Sequence, residues 1–192
     1  MHINFYRGLV FSLWILFTGY WAIAARWTKP NMRKHSWRNG LGLRLGLAVV
    51  LAAILSIPAV MRYMNHIQAL MDRHAEIAAV GTVICGLGMA FAFWARLHIG
   101  RNWGVPMSQK ENPDLVTTGP YAFIRHPIYT GVLTALLGTG LSVSVICLPC
   151  LVAAAFYFIY SARREEAFMC TRFPVTYPAY MQRTKMLLPL LF

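Results

Sequence analysis

The chain has 192 residues, of which 58% are hydrophobic and only 12% charged, with a mean hydropathy of +0.51. Soluble domains carry about 25% charged residues, so there is too little charge here to cover a water-facing surface, and the composition implies lipid-facing helices. The net charge of +12 does not imply a nucleic-acid partner. The basic residues fall in short segments between uncharged apolar runs, as in cytoplasmic loops of membrane proteins, and no segment is long enough to form a folded phosphate-binding face.

Residues 8–25 form an unbroken uncharged run, long enough for a spanning helix. Arg7 before it and Ala22-Ile23-Ala24 at its end also fit a signal peptide. The run exceeds a signal core of about 7–15 residues, however, and Trp14, Tyr20 and Trp21 are bulky near the would-be cleavage site, so a retained helix with an interfacial aromatic belt is expected. Residues 26–44 are a basic linker. Residues 45–61 are a second apolar run with Pro58 near its end, followed by a polar link holding Arg62, His66, Asp72, Arg73 and His74. Residues 77–95 are a third run, whose Gly81, Gly86, Gly88 and Ala90 permit close helix contact. Residues 96–126 turn polar and hold Pro106, Pro113, Gly119 and Pro120; this segment is too long for a mere connection and predicts an ordered loop. Residues 128–160 are again uncharged, and residues 161–192 form a basic, aromatic-rich tail.

The run 128–160 is 33 residues long. As one helix it would extend about 50 Å, against a hydrocarbon core of about 30 Å. As a hairpin it turns near Gly138-Thr139-Gly140 and Ser142. Charge chooses between the two. With a hairpin, five helices put every Lys and Arg except Arg7, Arg62 and Arg73 on one side, whereas a single helix leaves the two sides nearly even. The positive-inside bias selects five spans, with the N-terminus outside, the C-terminus cytoplasmic, and loop and tail together at the cytoplasmic rim. The expected fold is therefore all-α and integral to the membrane, one domain over residues 1–192, with a three-helix part (1–97) and a part carrying the site (98–192).

Two segments mix turn formers, aromatics and ionisable groups. In the loop, Leu115-Val116-Thr117-Thr118-Gly119-Pro120-Tyr121 leads to Arg125-His126-Pro127-Ile128-Tyr129. Pro127 suits a first helical position, and amides at that helix start can receive an anionic group; a snorkelling Arg-His pair at the lipid boundary fits equally. In the tail, Glu165 and Glu166 follow Arg163 and Arg164 in a chain with six acids; mutually compensating charges at a helix surface are the plainer reading. Cys85, Cys147 and Cys150 lie in apolar runs and Cys170 in the tail, with no disulfide framework or metal-ligand spacing. Cys147-Leu-Pro-Cys150 has redox-motif spacing, but within lipid it reads as small hydrophobes. Neither Gly40-Leu41-Gly42 nor Gly86-Leu87-Gly88 completes a phosphate-binding glycine loop, and no Ser-His-Asp or Cys-His set is apparent.

Taken in order, Gly100-Arg101-Asn102-Trp103, the Leu115–Tyr121 segment, Arg125-His126-Pro127-Ile128-Tyr129-Thr130-Gly131, Glu165-Glu166, Phe173-Pro174, Tyr177, Tyr180, Arg183-Thr184 and Pro189 resemble the isoprenylcysteine carboxyl methyltransferase family and its relatives among membrane phospholipid methyltransferases. The resemblance covers roughly residues 98–189. It implies an enzyme that binds S-adenosylmethionine in a cytoplasmic pocket of loop and tail. By position it places Leu115, Val116, Tyr121, His126, Pro127, Ile128 and Tyr129 at the cofactor, with Glu165 or its neighbour Glu166 opposite. Gln109 joins the set, although the loop here is shorter than in eukaryotic members. Arg163, Arg164 and Trp103 become candidate substrate contacts.

Two departures matter. Pro113 stands where eukaryotic members carry a histidine, and Ser161 stands where they carry the arginine that meets a substrate carboxylate. A prenylcysteine acceptor therefore does not transfer with the fold. The expected acceptor is a lipophilic small molecule, lipid or lipid-modified compound reaching the site from the bilayer. Methyl transfer from a sulfonium rests on positioning and exclusion of water, so no metal ligand is required of the sequence. The alternatives are a nicotinamide-dependent membrane reductase of the sterol reductase type, whose members share an Arg-His-Pro-x-Tyr loop, and a non-catalytic membrane partner protein.

Overall fold

A computed structural model describes residues 2–30, 41–72, 74–108 and 110–188. Among these residues, seven α-helices carry the fold: α1 (His2–Ala24), α2 (Leu41–Leu55), α3 (Pro58–Met71), α4 (Ala75–Ile99), α5 (Pro127–Ser142), α6 (Cys147–Arg172) and α7 (Thr176–Arg183). Among the described residues there is no strand; Ile124 and Lys185 form an isolated parallel bridge. Two segments among the described residues, Ile3–Trp27 and Ala75–Asn102, are long and apolar enough to cross a membrane, and the α2–α3 pair would make a third if counted as one broken span.

That pair corrects the expected second run. Residues 45–61 do not form one helix: Pro58 opens α3, which departs from α2 by 80°. The cause is local. Proline removes an amide donor and biases the preceding residue away from helical angles, and Ile57 is extended at φ −73°, ψ 117°.

The core is built on α4 against α5. Gly81, Cys85, Gly88 and Ala92 share one face of α4, and Gly131, Ala135, Gly138 and Ser142 repeat the same spacing on α5. A Cβ added to Gly88 would lie 2.5 Å from the Ala135 amide nitrogen and 2.6 Å from the Gly131 carbonyl oxygen; one added to Gly81 would lie 2.7 Å from the Gly138 carbonyl oxygen. Only glycine lets the two backbones approach so closely, which is how helices associate where lipid removes the hydrophobic drive. Of the small residues singled out on α4, Gly86 meets nothing within 4 Å and Ala90 is exposed.

The same packing moves the expected turn. Gly138 and Gly140 stay helical, because each admits a close neighbour, and α5 continues through Ser142; the connection to α6 is residues 143–146. The tryptophans of α1 also differ from a lipid belt. Trp14 donates its indole N–H to Thr139 on α5 at 2.9 Å, and Trp21 stacks on Phe17 at 4.1 Å and meets Phe93 at 5.5 Å. A buried indole N–H needs an acceptor, and α5 supplies it.

At the far end of the α4–α5–α6 group, loop and tail join. The Arg125 and His126 amides donate to the Lys185 and Met186 carbonyls at 2.8 and 3.1 Å, and the Thr130 hydroxyl donates to the Leu187 carbonyl at 2.6 Å. The tail thus straps across the start of α5.

Candidate active site

A cleft of about 170 Å³ opens between this loop and tail, lined by Trp103, Lys110, Leu115, Val116 and Tyr121 of the loop and by His126, Tyr129, Glu165, Met169 and Tyr180 that follow it in the chain. Three features of the loop shape its wall. Gly119 has φ +59° and its Cβ position is filled by the His98 ring, so glycine is required there twice over. His98 Nε2 bonds the Thr118 hydroxyl at 2.8 Å and its ring lies parallel to Tyr121. Tyr121, 6% exposed, has its carbonyl bonded by the Tyr180 hydroxyl at 2.6 Å, so α7 holds the loop in place.

Pro127 begins α5 as its first residue with His126 before it, as the sequence predicts. Here the two tail acids separate. Glu165 lines the cleft. Its Oε1 accepts from the Tyr129 hydroxyl at 2.6 Å, the Met107 amide at 2.8 Å and the Ser161 hydroxyl at 2.9 Å, while Oε2 lies 3.6 Å from His126 Nδ1. One carboxylate oxygen thus has three donors, while the other has only His126 within ion-pair distance. Met107 reaches this position with φ +64°, an uncommon conformation for a residue with a side chain, and such strain concentrates at functional sites.

Glu166 is not among the residues lining the cleft. It lies behind it, buried, 2.5 Å from Arg125 Nε and 3.3 Å from His126 Nε2. Burial alone would push its carboxyl up, but the hydrogen bonds from His126 and Arg125 outweigh that and hold it below the usual carboxylate range. Arg125 also donates to the Met181 carbonyl at 3.3 Å and to that of Thr184. Around it, burial pushes the phenols of Tyr121 and Tyr177 well up and that of Tyr180 up to about 12, so all three are protonated donors at neutral pH.

Of the residues singled out from sequence, Leu115, Val116, Tyr121, His126, Ile128, Tyr129, Glu165 and Trp103 line the cleft; Pro127 is buried behind it. Gln109 lies outside the described residues. Arg163 and Arg164 are exposed and do not line it; Arg164 rests on the Tyr160 ring, 5.9 Å from its centre. Sequence reasoning missed Lys110, Asp114, Asn102 and Met169 in the wall. No spacing marks them, because a single lysine in a polar loop carries no signal until the fold buries it. Among the described residues no three His, Cys, Asp or Glu gather to hold a metal ion.

The profile of the phospholipid methyltransferase family matches residues 77–175, which take in all but the first two residues of α4, the loop, α5 and α6, and end just before α7. The chain belongs to that family. Proteins similar to it include the cobalt-zinc-cadmium resistance protein CzcN of Cupriavidus metallidurans, 35% identical over 47% of this chain and 43% of that protein. The nickel-cobalt-cadmium resistance protein NccN of Alcaligenes xylosoxydans xylosoxydans is 34% identical over 63% and 58%. The protein-S-isoprenylcysteine O-methyltransferase of Schizosaccharomyces pombe is 29% identical over 55% and 46%. The chain spans about half the length of the curated relatives it matches. In fold it is similar to the eukaryotic intramembrane Ras methyltransferase (isoprenylcysteine carboxyl methyltransferase), with TM-score 0.59 and 21% identity over 78% of this chain and 53% of that one. The resemblance read from the sequence is borne out, and these matches do not favour the reductase or the non-catalytic reading.

Proposed function

We propose that this family member is a membrane methyltransferase that binds S-adenosylmethionine in the loop–tail cleft and acts on a lipophilic acceptor. The observation that carries the reading is Glu165: a carboxylate fixed by three donors on one oxygen, lining a cleft that Trp103, Tyr121 and Tyr129 also line. Bound there, S-adenosylmethionine supplies a methyl group on a cationic sulfur. The residues fit such a ligand in three respects. Glu165 Oε2 suits its ammonium or ribose hydroxyls, the aromatic faces suit a sulfonium at about 0.5–2 kcal/mol, and Leu115, Val116 and Ile128 suit the adenine.

The chain's own part is to hold, orient and exclude water. Tyr129 and Ser161 fix the carboxylate's rotamer, and Tyr180 and the 185–187 strap hold the loop closed on it. Preorganisation of this kind lowers the cost of aligning two reactants. We place five crossings in the bilayer, with α5 and α6 a short hairpin, the N-terminus outside and the cleft at the cytoplasmic rim; residues 1–97 support a site formed by residues 98–192. The acceptor then enters from the lipid, and membrane lipids surround the three N-terminal crossings.

Isothermal titration of the detergent-purified protein with S-adenosylmethionine tests the reading. Saturable one-site binding is expected. A folded protein that takes up neither S-adenosylmethionine nor S-adenosylhomocysteine would end it.

A further inference from the structure

Lys110 is 5% exposed and stands in the loop wall of the cleft. Its ammonium donates to the Lys29 carbonyl at 2.7 Å. An ammonium has three protons, and among the described residues no acceptor meets the others. Close to it is a second buried cation. Arg96, 4% exposed, donates to the Gly100 and Ala24 carbonyls, both at 2.8 Å, leaves its buried Nε without a partner, and lies 4.7 Å over the ring of Trp103, which lines the cleft. Among the described residues neither cation has a carboxylate within ion-pair reach.

The acids of the cleft are engaged elsewhere. Asp114 pairs with Lys29 at 2.6 Å and accepts from Asn102 at 3.2 Å, and Glu165 is held by Tyr129, Met107 and Ser161. Burial first, and the charge of Arg96 second, push the Lys110 pKa down. A buried cation without a counter-ion is destabilising, and a second cation nearby adds to that cost. The arrangement is relieved by an anion entering the cleft at its Lys110 end. Glu165 lines the same cleft, which therefore presents a carboxylate as well as an ammonium that has no carboxylate partner among the described residues. That combination suits a zwitterion.

We propose that Lys110 anchors a carboxylate at the loop end of the cleft, that of the amino-acid portion of the methyl donor, and that Arg96 strengthens the site from behind Trp103. The proposal rests on the cofactor reading above.

The test is a binding comparison on the full chain in detergent. S-adenosylhomocysteine is titrated beside 5′-(3-aminopropylthio)-5′-deoxyadenosine, the same nucleoside with its ammonium but without the carboxylate. The wild-type protein is expected to prefer S-adenosylhomocysteine by about 10- to 100-fold, the worth of a hydrogen bond to a charged group. Lys110→Met is expected to abolish that preference and Lys110→Arg to retain most of it. Lys110→Gln, which keeps a donor for the Lys29 carbonyl, replaces the methionine variant if that one does not fold. A wild type without the preference, or a folded Lys110→Met or Lys110→Gln that keeps it, overturns the proposal while leaving the cofactor reading intact. If the wild type binds neither nucleoside, both fall. If the variant weakens both nucleosides equally, Lys110 is a structural residue and the anchor is refuted.

Discussion

Glu165 and Glu166 are consecutive in α6 yet serve different surfaces: Glu165 lines the cleft, while Glu166 lies behind it, 2.5 Å from Arg125. Glu165→Gln removes charge but keeps an acceptor for Tyr129, Ser161 and the Met107 amide. The folded variant should therefore lose affinity for S-adenosylmethionine by about 10- to 100-fold with little change in melting temperature. Titration calorimetry beside a thermal melt checks both halves; unchanged affinity would remove Glu165 from the site.

The neighbouring acid should behave in the opposite way. Glu166→Ala leaves the Arg125 guanidinium buried against only the Met181 and Thr184 carbonyls, and breaking a buried pair costs about 3–5 kcal/mol. We expect a melting temperature lower by about 10 °C. Any loss of cofactor affinity should track the loss of folded protein and be absent well below the melt.

The pH dependence follows from the same corner. Glu166 titrates below its ordinary 4.5, so its contribution to stability is complete above that value and is lost as pH falls through the lower, folded one. Thermal stability in detergent should decline in this acid window, and Glu166→Gln should flatten the decline. At the alkaline end Tyr180, pushed up to about 12, keeps donating to the Tyr121 carbonyl past the pH at which a free phenol ionises. Its contribution is complete below the free value and fades as pH rises toward 12.

The helix contact offers a paired test. Gly88→Leu forces a side chain to within 2.5 Å of the α5 backbone, whereas Gly86→Leu enters open space. The first should lower the melting temperature sharply or prevent folding, and the second should be tolerated; size-exclusion profiles and melts of both in detergent distinguish them. Equal effects would mean that α4 and α5 do not meet along this face.

Much of this was legible in the sequence because it depends on local chemistry. Pro127 had to open a helix, the charge distribution called for a hairpin, and loop and tail then had to share an end. What was hidden depends on neighbours. A glycine in an apolar run signals a break or a close contact equally well, so Gly138 and Gly140 misplaced the turn that lies at residues 143–146. Two adjacent acids on a helix point about 100° apart, but which faces a cavity is set by Tyr129 and Arg125, far away in sequence. The burial of Lys110 and Arg96 and the φ of Met107 are tertiary properties with no trace in spacing.

The most direct test is an experimental structure of the full chain with S-adenosylhomocysteine. Nucleoside density is expected in the cleft, against Val116 and Tyr121 and within hydrogen-bond reach of Glu165. Ligand bound elsewhere, with the tail strap of residues 185–187 detached from Arg125 and His126, would contradict it.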